Sequence, residues 1–304
     1  MRFEYHYQGL EPKLLRSFLK EQGISKGLLA KVKFQGGQIL VNEEERTVRF
    51  SLSPGDRVSF VIPDEKEHET MLATPGPVDI VYEDEHVLVV NKPAGIASIP
   101  AQYHPQGTLA NRVKAYYQDQ GYVDQVIHIV TRLDRDTSGL MVFAKHGFAH
   151  AKLDKQLRAH KFLKKYQALV GGNVGRLKEH ELIDRPISRE RNSLMRRQVD
   201  PAGQVAQTEY WLDYRSVPES LALVDIRLHT GRTHQIRVHF ADLGCPLLGD
   251  DMYGGDTARI QRQALHCYEL AFVHPFTGEP LHFIQEPPAD IQHLVSQISS
   301  DKTR

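Results

Sequence analysis

The stretch TRLDRDTSGL, residues 131–140, sets one carboxylate, Asp134, between Arg132 and Arg135, with a second, Asp136, two residues on. Neighbouring guanidinium groups favour the charged form of a carboxylate. A charged carboxylate is what a nucleophile or a proton-abstracting base must be at neutral pH. The plain alternative is a surface turn whose charges are solvated, and spacing alone does not separate Asp134 from Asp136. Three further segments carry reactive or anion-binding side chains: NKPAG at 91–95, KKYQALVGG at 164–172 with Lys164 and Tyr166, and HTGRTHQIRVH at 229–239 with Arg232 and Arg237. The histidines of the last segment, His229, His234 and His239, lack the i,i+4 spacing that sets two ligands on one helical face, so no metal site is expected. Two cysteines, Cys245 and Cys267, make neither a disulfide framework nor a Cys-rich metal site. Lys92 in NKPAG is read as a solvated loop lysine within reach of a phosphate, not as a catalytic group.

These segments need elements to hold them. VDIVY and HVLVVN flank an acidic turn and read as a hairpin, and GLMVFAK as an apolar strand. FAHAKLDKQLRAH spaces Ala149, Leu153 and Leu157 by four, as a helix does. KKYQALV alternates with Lys164, Tyr166, Ala168 and Val170 on one side, and SLALVDIRLH with Ala222, Val224, Ile226 and Leu228. THQIRVHFADLG predicts a short helix capped by Thr233 and ended by Gly244. ALHCYELAFVHP and PLHFIQ close the chain as strands around PFTG. Together they predict an α+β domain, a mixed and mostly antiparallel sheet with flanking helices, over residues 78–290.

A smaller unit precedes it, over residues 1–62. Pro12 can open a helix whose Leu14, Leu15, Phe18 and Leu19 share a face, with Gly23 as its stop. A second helix is predicted over Lys26–Phe34. GGQILVN, RTVRFSL and DRVSFVI follow as strands, the last two parted by SPGD. An acidic, proline-containing linker is expected over 63–77, and a C-terminal tail over 291–304.

The 304 residues, 40% hydrophobic and 25% charged, suit a soluble protein with a sizeable core. No apolar signal core and no apolar run of membrane-spanning length is present, so a cytoplasmic location away from membranes is expected. Formal net charge is zero, but its distribution is uneven. Lys152, Lys155, Arg158, Lys161, Lys164 and Lys165 cluster, as do Arg185, Arg189, Arg191, Arg196 and Arg197. Such patches set a local field that attracts polyanions, although each alone can be a solvated face.

The four chemistry-bearing segments, in this order, resemble the pseudouridine synthase family, in the branch that modifies large-subunit ribosomal RNA. The resemblance runs over most of residues 78–285. One position departs: Thr131 stands where the family usually has His. Residues 1–62, from LLRSFLKEQGIS through GGQILVN to LSPGDRVSF, resemble the S4 RNA-binding domain. The resemblance implies an isomerase that detaches uracil from C1′ of its ribose, rotates it and rejoins it through carbon. That reaction involves no net redox change, so no cofactor is expected. It assigns catalysis to Asp134 over Asp136, with Arg237 as its electrostatic partner and Tyr166 packed against the base. Arg132 would fill the space left by a flipped uridine, or else pair with Asp134. Arg232 would meet phosphate, and Lys164 is grouped with the substrate-binding residues. The implied partner is RNA of the 23S ribosomal type, and a monomer is expected. Two other readings are a ribosome-assembly factor with a lapsed catalytic domain and an RNA N-glycosylase that releases uracil.

Overall fold

The computed structural model describes residues 1–65, 71–101 and 105–301. Residues 66–70 of the expected linker and 302–304 of the expected tail lie outside them. Six helices occur among the described residues: α1 Leu15–Glu21, α2 Lys26–Phe34, α3 Leu109–Asp119, α4 Gly147–Arg158, α5 Gln235–Asp242 and α6 Ala289–Asp301.

The N-terminal unit is a four-stranded antiparallel sheet with α1 and α2 against it. Its strand order is Arg2–His6, Arg57–Val61, Gln38–Val41, Glu44–Glu45. Helix α2 has the expected bounds, and Ser25 caps it by accepting from the Leu28 N–H at 3.1 Å. Two expectations fail here. Helix α1 does not open at Pro12; Lys13–Leu14 pair with Ser51–Leu52, and the helix begins at Leu15. RTVRFSL is not a continuous strand. It turns at Val48 and Arg49 so that the Phe50 and Val48 carbonyls accept from the Leu15 and Arg16 N–H groups. Those donors at the helix start have no intrahelical partner, and the fold-back satisfies them.

The second unit is built on a ten-stranded sheet. Its main path runs His180–Asp184, Gln207–Ser216, Leu221–Leu228, Leu163–Gly171, Leu265–Val273, Ser138–Ala144, Val87–Lys92, Ile80–Glu83. All of these neighbours are antiparallel except Ser138–Ala144 beside Leu265–Val273. The strand alternation holds: Tyr166, Ala168 and Val170 pair across from Ile226, Val224 and Ala222, and all six are buried. Gly139 stands at the parallel crossing with φ +118°, where a Cβ would lie 2.2 Å from the Cys267 carbonyl oxygen. Only glycine fits so close an approach.

Unexpected elements include α3, α6 and the strands Arg2–His6, His180–Asp184, Gln207–Ser216, Ile187–Arg189 and Arg197–Val199. Helix α3 is closed by a capping box between Thr108 and Asn111. Much of the stretch expected as a tail is α6, whose Ile291 and Leu294 are buried against Leu169, Leu221 and Leu248. The flanks of the linker lie on the larger unit. Glu65 accepts from the Gly147 N–H and pairs with His128 at 2.6 Å, while the Leu72 carbonyl accepts from Asn111. The two units share a core. Phe148 of α4 is buried among Phe3, Phe60 and Phe276.

Candidate active site

A cavity of about 690 Å³ opens where α5, the loop 131–137 and the Leu163–Gly171 strand meet. All six residues singled out in the sequence line it: Arg132, Asp134, Lys164, Tyr166, Arg232 and Arg237.

Four consecutive carbonyls of that loop are each held by a different donor. Leu133 O accepts from the Ser98 hydroxyl (2.6 Å), Asp134 O from the Thr137 N–H (3.2 Å), Arg135 O from the Lys92 ammonium (2.8 Å) and Asp136 O from Arg262 (3.1 Å). The Leu133 N–H returns a bond to Ser98 at 3.1 Å. At the loop's start, buried Thr131 accepts from the Val142 N–H through its hydroxyl at 3.0 Å. A threonine therefore ties this loop to the strand behind it. Buried backbone groups need partners, and here those partners also fix the carboxylate above them.

Lys92 is not a solvated loop lysine. It is fully buried, and its Nζ donates to the carbonyls of Pro93, Ile96 and Arg135 at 2.7–2.8 Å. Burial drives its pKa down to about 7. The three carbonyls match the three protons of the charged form.

The arginines next to Asp134 in sequence are not the ones that pair with it. Arg135 is bonded to Asp136 at 2.8 Å, and Arg132 is exposed with no ion pair among the described residues. Asp134, a quarter exposed at its side chain, meets Arg237 at 3.4 Å across 103 residues. Arg237 in turn holds a partner that the sequence reading missed. Asp250 is fully buried and accepts from Nε and Nη2 of Arg237 at 2.7 and 2.8 Å. Burial opposes the Arg237 charge, but Asp250 and Asp134 outweigh it and push its proton affinity up. The guanidinium also lies 4.9 Å from the centre of the Tyr253 ring. Asp250 and Tyr253 both sit in GDDMYGG, a turn-rich run whose glycines were the only available signal. There Gly249, at φ +74°, passes within 1.9 Å of the Arg262 carbonyl, measured from where a Cβ would stand.

Tyr166 is buried, and that burial, then Cys267, raises its pKa well above 10. It is a neutral ring at neutral pH. Lys164 lies two residues along the same face, partly buried, and burial lowers its pKa. Arg232 is exposed at the rim, anchored by Nε to the Val205 carbonyl at 2.9 Å. The helix carrying Arg237 starts at Gln235, and Thr233 does not cap it. His234 occupies the cap position at φ +58° with no capping bond from its side chain. The buried Gln235 amide fastens the turn before the helix, accepting from the Arg232 N–H and the Thr230 hydroxyl and donating to Gln207 O and the Thr208 hydroxyl.

The three histidines of this segment are spread apart in their bonding. His229 bonds Glu209, His234 bonds Tyr253, and His239 bonds Thr208 and the Arg185 carbonyl. Among the described residues no group of three or more His, Cys, Asp or Glu side chains could hold a metal ion, and no helix is long and apolar enough to cross a membrane.

A two-stranded ribbon, Ile187–Arg189 with Arg197–Val199, stands beside the cavity. Its Arg197 N–H donates to the Tyr253 hydroxyl at 2.9 Å, and its loop exposes Arg191, Leu194, Met195 and Arg196.

Residues 86–242 match the family model described as RNA pseudouridylate synthase. The chain is 43% identical over 281 residues to an uncharacterized RNA pseudouridine synthase of Bacillus subtilis, YjbO, covering 92% of this chain and 98% of the relative. It is 34% identical over 318 residues to the ribosomal large subunit pseudouridine synthase D of Xanthomonas campestris, covering 100% of this chain and 90% of the relative. The solved structure of human RNA pseudouridylate synthase domain containing 4 shares the fold with a TM-score of 0.58 at 24% identity, over 73% of this chain and 93% of that one. On these matches the chain belongs to the RNA pseudouridylate synthase family, whose members are isomerases acting on uridine in RNA.

Proposed function

We propose that this protein converts uridine to pseudouridine in large-subunit ribosomal RNA, with Asp134 as the acting carboxylate. The observation that carries the reading is the Asp134–Arg237 contact inside a cavity wide enough for a nucleotide and walled by Tyr166. Asp134 serves as a nucleophile toward C1′ or as the base that begins elimination across the sugar. Arg237 sets a positive charge 3.4 Å from that carboxylate. Tyr166, protonated by virtue of its burial, offers a ring against the base and a hydroxyl near the reacting atoms. Arg132, at the cavity and with no ion pair among the described residues, suits the space left by an extruded uridine. Arg232 and Lys164 stand where backbone phosphate and ribose would pass. No redox partner or cofactor enters this chemistry. The large-subunit substrate is supported by the named relative from Xanthomonas campestris.

Residues 1–62 form an S4-like RNA-binding unit in this reading, followed by a linker at 63–77 and the catalytic unit at 78–290. The exposed Arg16, Lys20, Lys26, Lys31 and Lys33 on its helices support it. The protein works in the cytoplasm as a monomer. The test is product analysis on an unmodified large-subunit ribosomal RNA transcript. Asp134→Asn keeps the shape of the side chain and removes its charge. It should abolish the isomer while RNA binding stays within a few-fold, whereas Asp136→Asn retains activity. Free uracil among the products would support a glycosylase instead. An Asp134→Asn protein that turns over at a comparable rate would remove Asp134 from the chemistry.

A further inference from the structure

His234 is accounted for neither by the fold nor by the roles above. Its backbone is left-handed at φ +58°, a conformation that side-chain-bearing residues seldom adopt, and its side chain caps nothing. Strain of this kind persists where the surroundings hold it, and it gathers at functional sites. The His234 ring lines the same cavity as Asp134. Its Nδ1 lies 2.9 Å from the Tyr253 hydroxyl, and the two rings meet edge to face.

The tautomer follows from that hydroxyl. It already accepts from the Arg197 N–H at 2.9 Å, so its single proton is best satisfied by donation to His234 Nδ1. Nδ1 is then an acceptor, and the neutral ring carries its proton on Nε2. No hydrogen-bond partner for Nε2 is found among the described residues. Asp134 on the loop, Asp250 before the 251–253 turn, Arg237 on the same helix and Arg197 on the ribbon are the charged groups facing the ring. Burial first, then Arg237 and Arg197, lower its pKa against the pull of the two carboxylates, so the ring is neutral at pH 7.

We propose that His234 is a catalytic residue, a neutral imidazole whose Nε2–H donates to a carbonyl oxygen of the target uracil, with Tyr253 as the positioning residue that fixes its tautomer. The proposal rests on the reading that the Asp134 cavity receives the target uridine. When the bond from C1′ to the ring nitrogen breaks, its electron pair stays with uracil and spreads onto the carbonyl oxygens. A fixed donor aimed at that charge stabilises it in the transition state more than in the ground state. The proton stays on Nε2 throughout and the bond relaxes as the carbon–carbon bond forms. A neutral donor suits a diffuse partial charge, whereas a charged guanidinium such as that of Arg232 suits phosphate.

The experiment compares kcat and KM on an unmodified large-subunit ribosomal RNA transcript for wild type, Asp134→Asn, His234→Leu, His234→Gln and Tyr253→Phe. His234→Leu should lower kcat about a hundredfold and leave KM within about threefold. His234→Gln, whose amide nitrogen reaches the place of Nε2, should recover at least about tenfold of that loss. Nitrogen NMR of the His234 ring should report the Nε2–H tautomer in wild type and a mixture in Tyr253→Phe, with kcat of the latter down about tenfold. Should His234→Leu fail to fold, the wild-type tautomer and the glutamine variant still decide. An Nδ1–H tautomer in wild type, a fully active His234→Leu, or glutamine no better than leucine each overturns the proposal. An inert Asp134→Asn beside an active His234→Leu overturns this proposal alone, whereas an active Asp134→Asn overturns the assignment of Asp134.

Discussion

The contact between Arg237 and Asp250 is the perturbation with the clearest expected size. Their side chains are 7% and 0% exposed and joined by two bonds of 2.7 and 2.8 Å. Removing one member of such a buried pair strands the other charge and costs about 3–5 kcal/mol. Asp250→Asn belongs at the lower end, about 3 kcal/mol, because Asp134 stands 3.4 Å from Arg237 and takes up part of the stranded charge. Arg237→Met belongs at the upper end, about 5 kcal/mol, because no other cation pairs with Asp250 among the described residues. Independent effects would sum to about 8 kcal/mol; the double variant Asp250→Asn/Arg237→Met should instead cost about 3 kcal/mol or less, since neither member of the buried pair keeps its charge. The single tryptophan, Trp211, lies in the catalytic unit's sheet and reports urea denaturation of that unit at pH 7. Turnover should fall about a hundredfold in each variant, because the guanidinium no longer stands at its place beside Asp134. Costs that add to within about 0.5 kcal/mol would refute the buried-pair argument.

Acid should loosen the junction between the units. His146, with its pKa pushed down to about 3 chiefly by burial, is neutral in the fold and binds a proton more readily when unfolded. Stability is therefore present above the unfolded value, about 6.5, and is lost as pH falls toward about 3. A His146→Leu variant should show a shallower decline in denaturation midpoint over that range. Glutamine at Lys26, Lys31 and Lys33 together should weaken RNA binding and reduce the salt slope by about one per lost phosphate contact; an unchanged slope would mean that this face does not touch RNA. Deleting residues 1–62 should yield a chain prone to aggregate, because Phe148, now 1% exposed, loses its cover; a soluble, monodisperse fragment in size-exclusion chromatography would contradict that.

Local patterns carried the strands well. Where a strand turns alternate residues to one core, as it does Tyr166, Ala168 and Val170 while Leu169 enters another, the period is written in the chain. Helix α2 was legible to its ends because Ser25 caps it locally. Segments whose bonding is settled elsewhere were not legible. RTVRFSL alternates like a strand, yet it turns to satisfy the start of α1. Before α5 it is a buried glutamine amide that holds the turn, through partners at 207 and 208 that lie far back in the chain. The site shows the same limit. The crowding of Asp134 by Arg132 and Arg135 suggested local pairing, but Arg135 takes Asp136 and the cation that meets Asp134 comes from α5. Lys92, Ser98, Asp250 and Arg262 support the site through contacts up to 126 residues apart in the chain, and spacing cannot reveal those.

The pinning of the 133–136 carbonyls has a consequence for the order of events during synthesis. Their donors, Ser98, Thr137, Lys92 and Arg262, are spread from the first third of the chain to its last fifth. The motif itself leaves the ribosome long before Arg262 does. Until Arg237, Asp250 and Arg262 have all been made, Asp134 lacks the braced guanidinium it meets and the Asp136 carbonyl lacks its donor. The amino-terminal unit, by contrast, closes its sheet by Val61. A growing chain thus closes its small amino-terminal sheet early and completes the surroundings of Asp134 late.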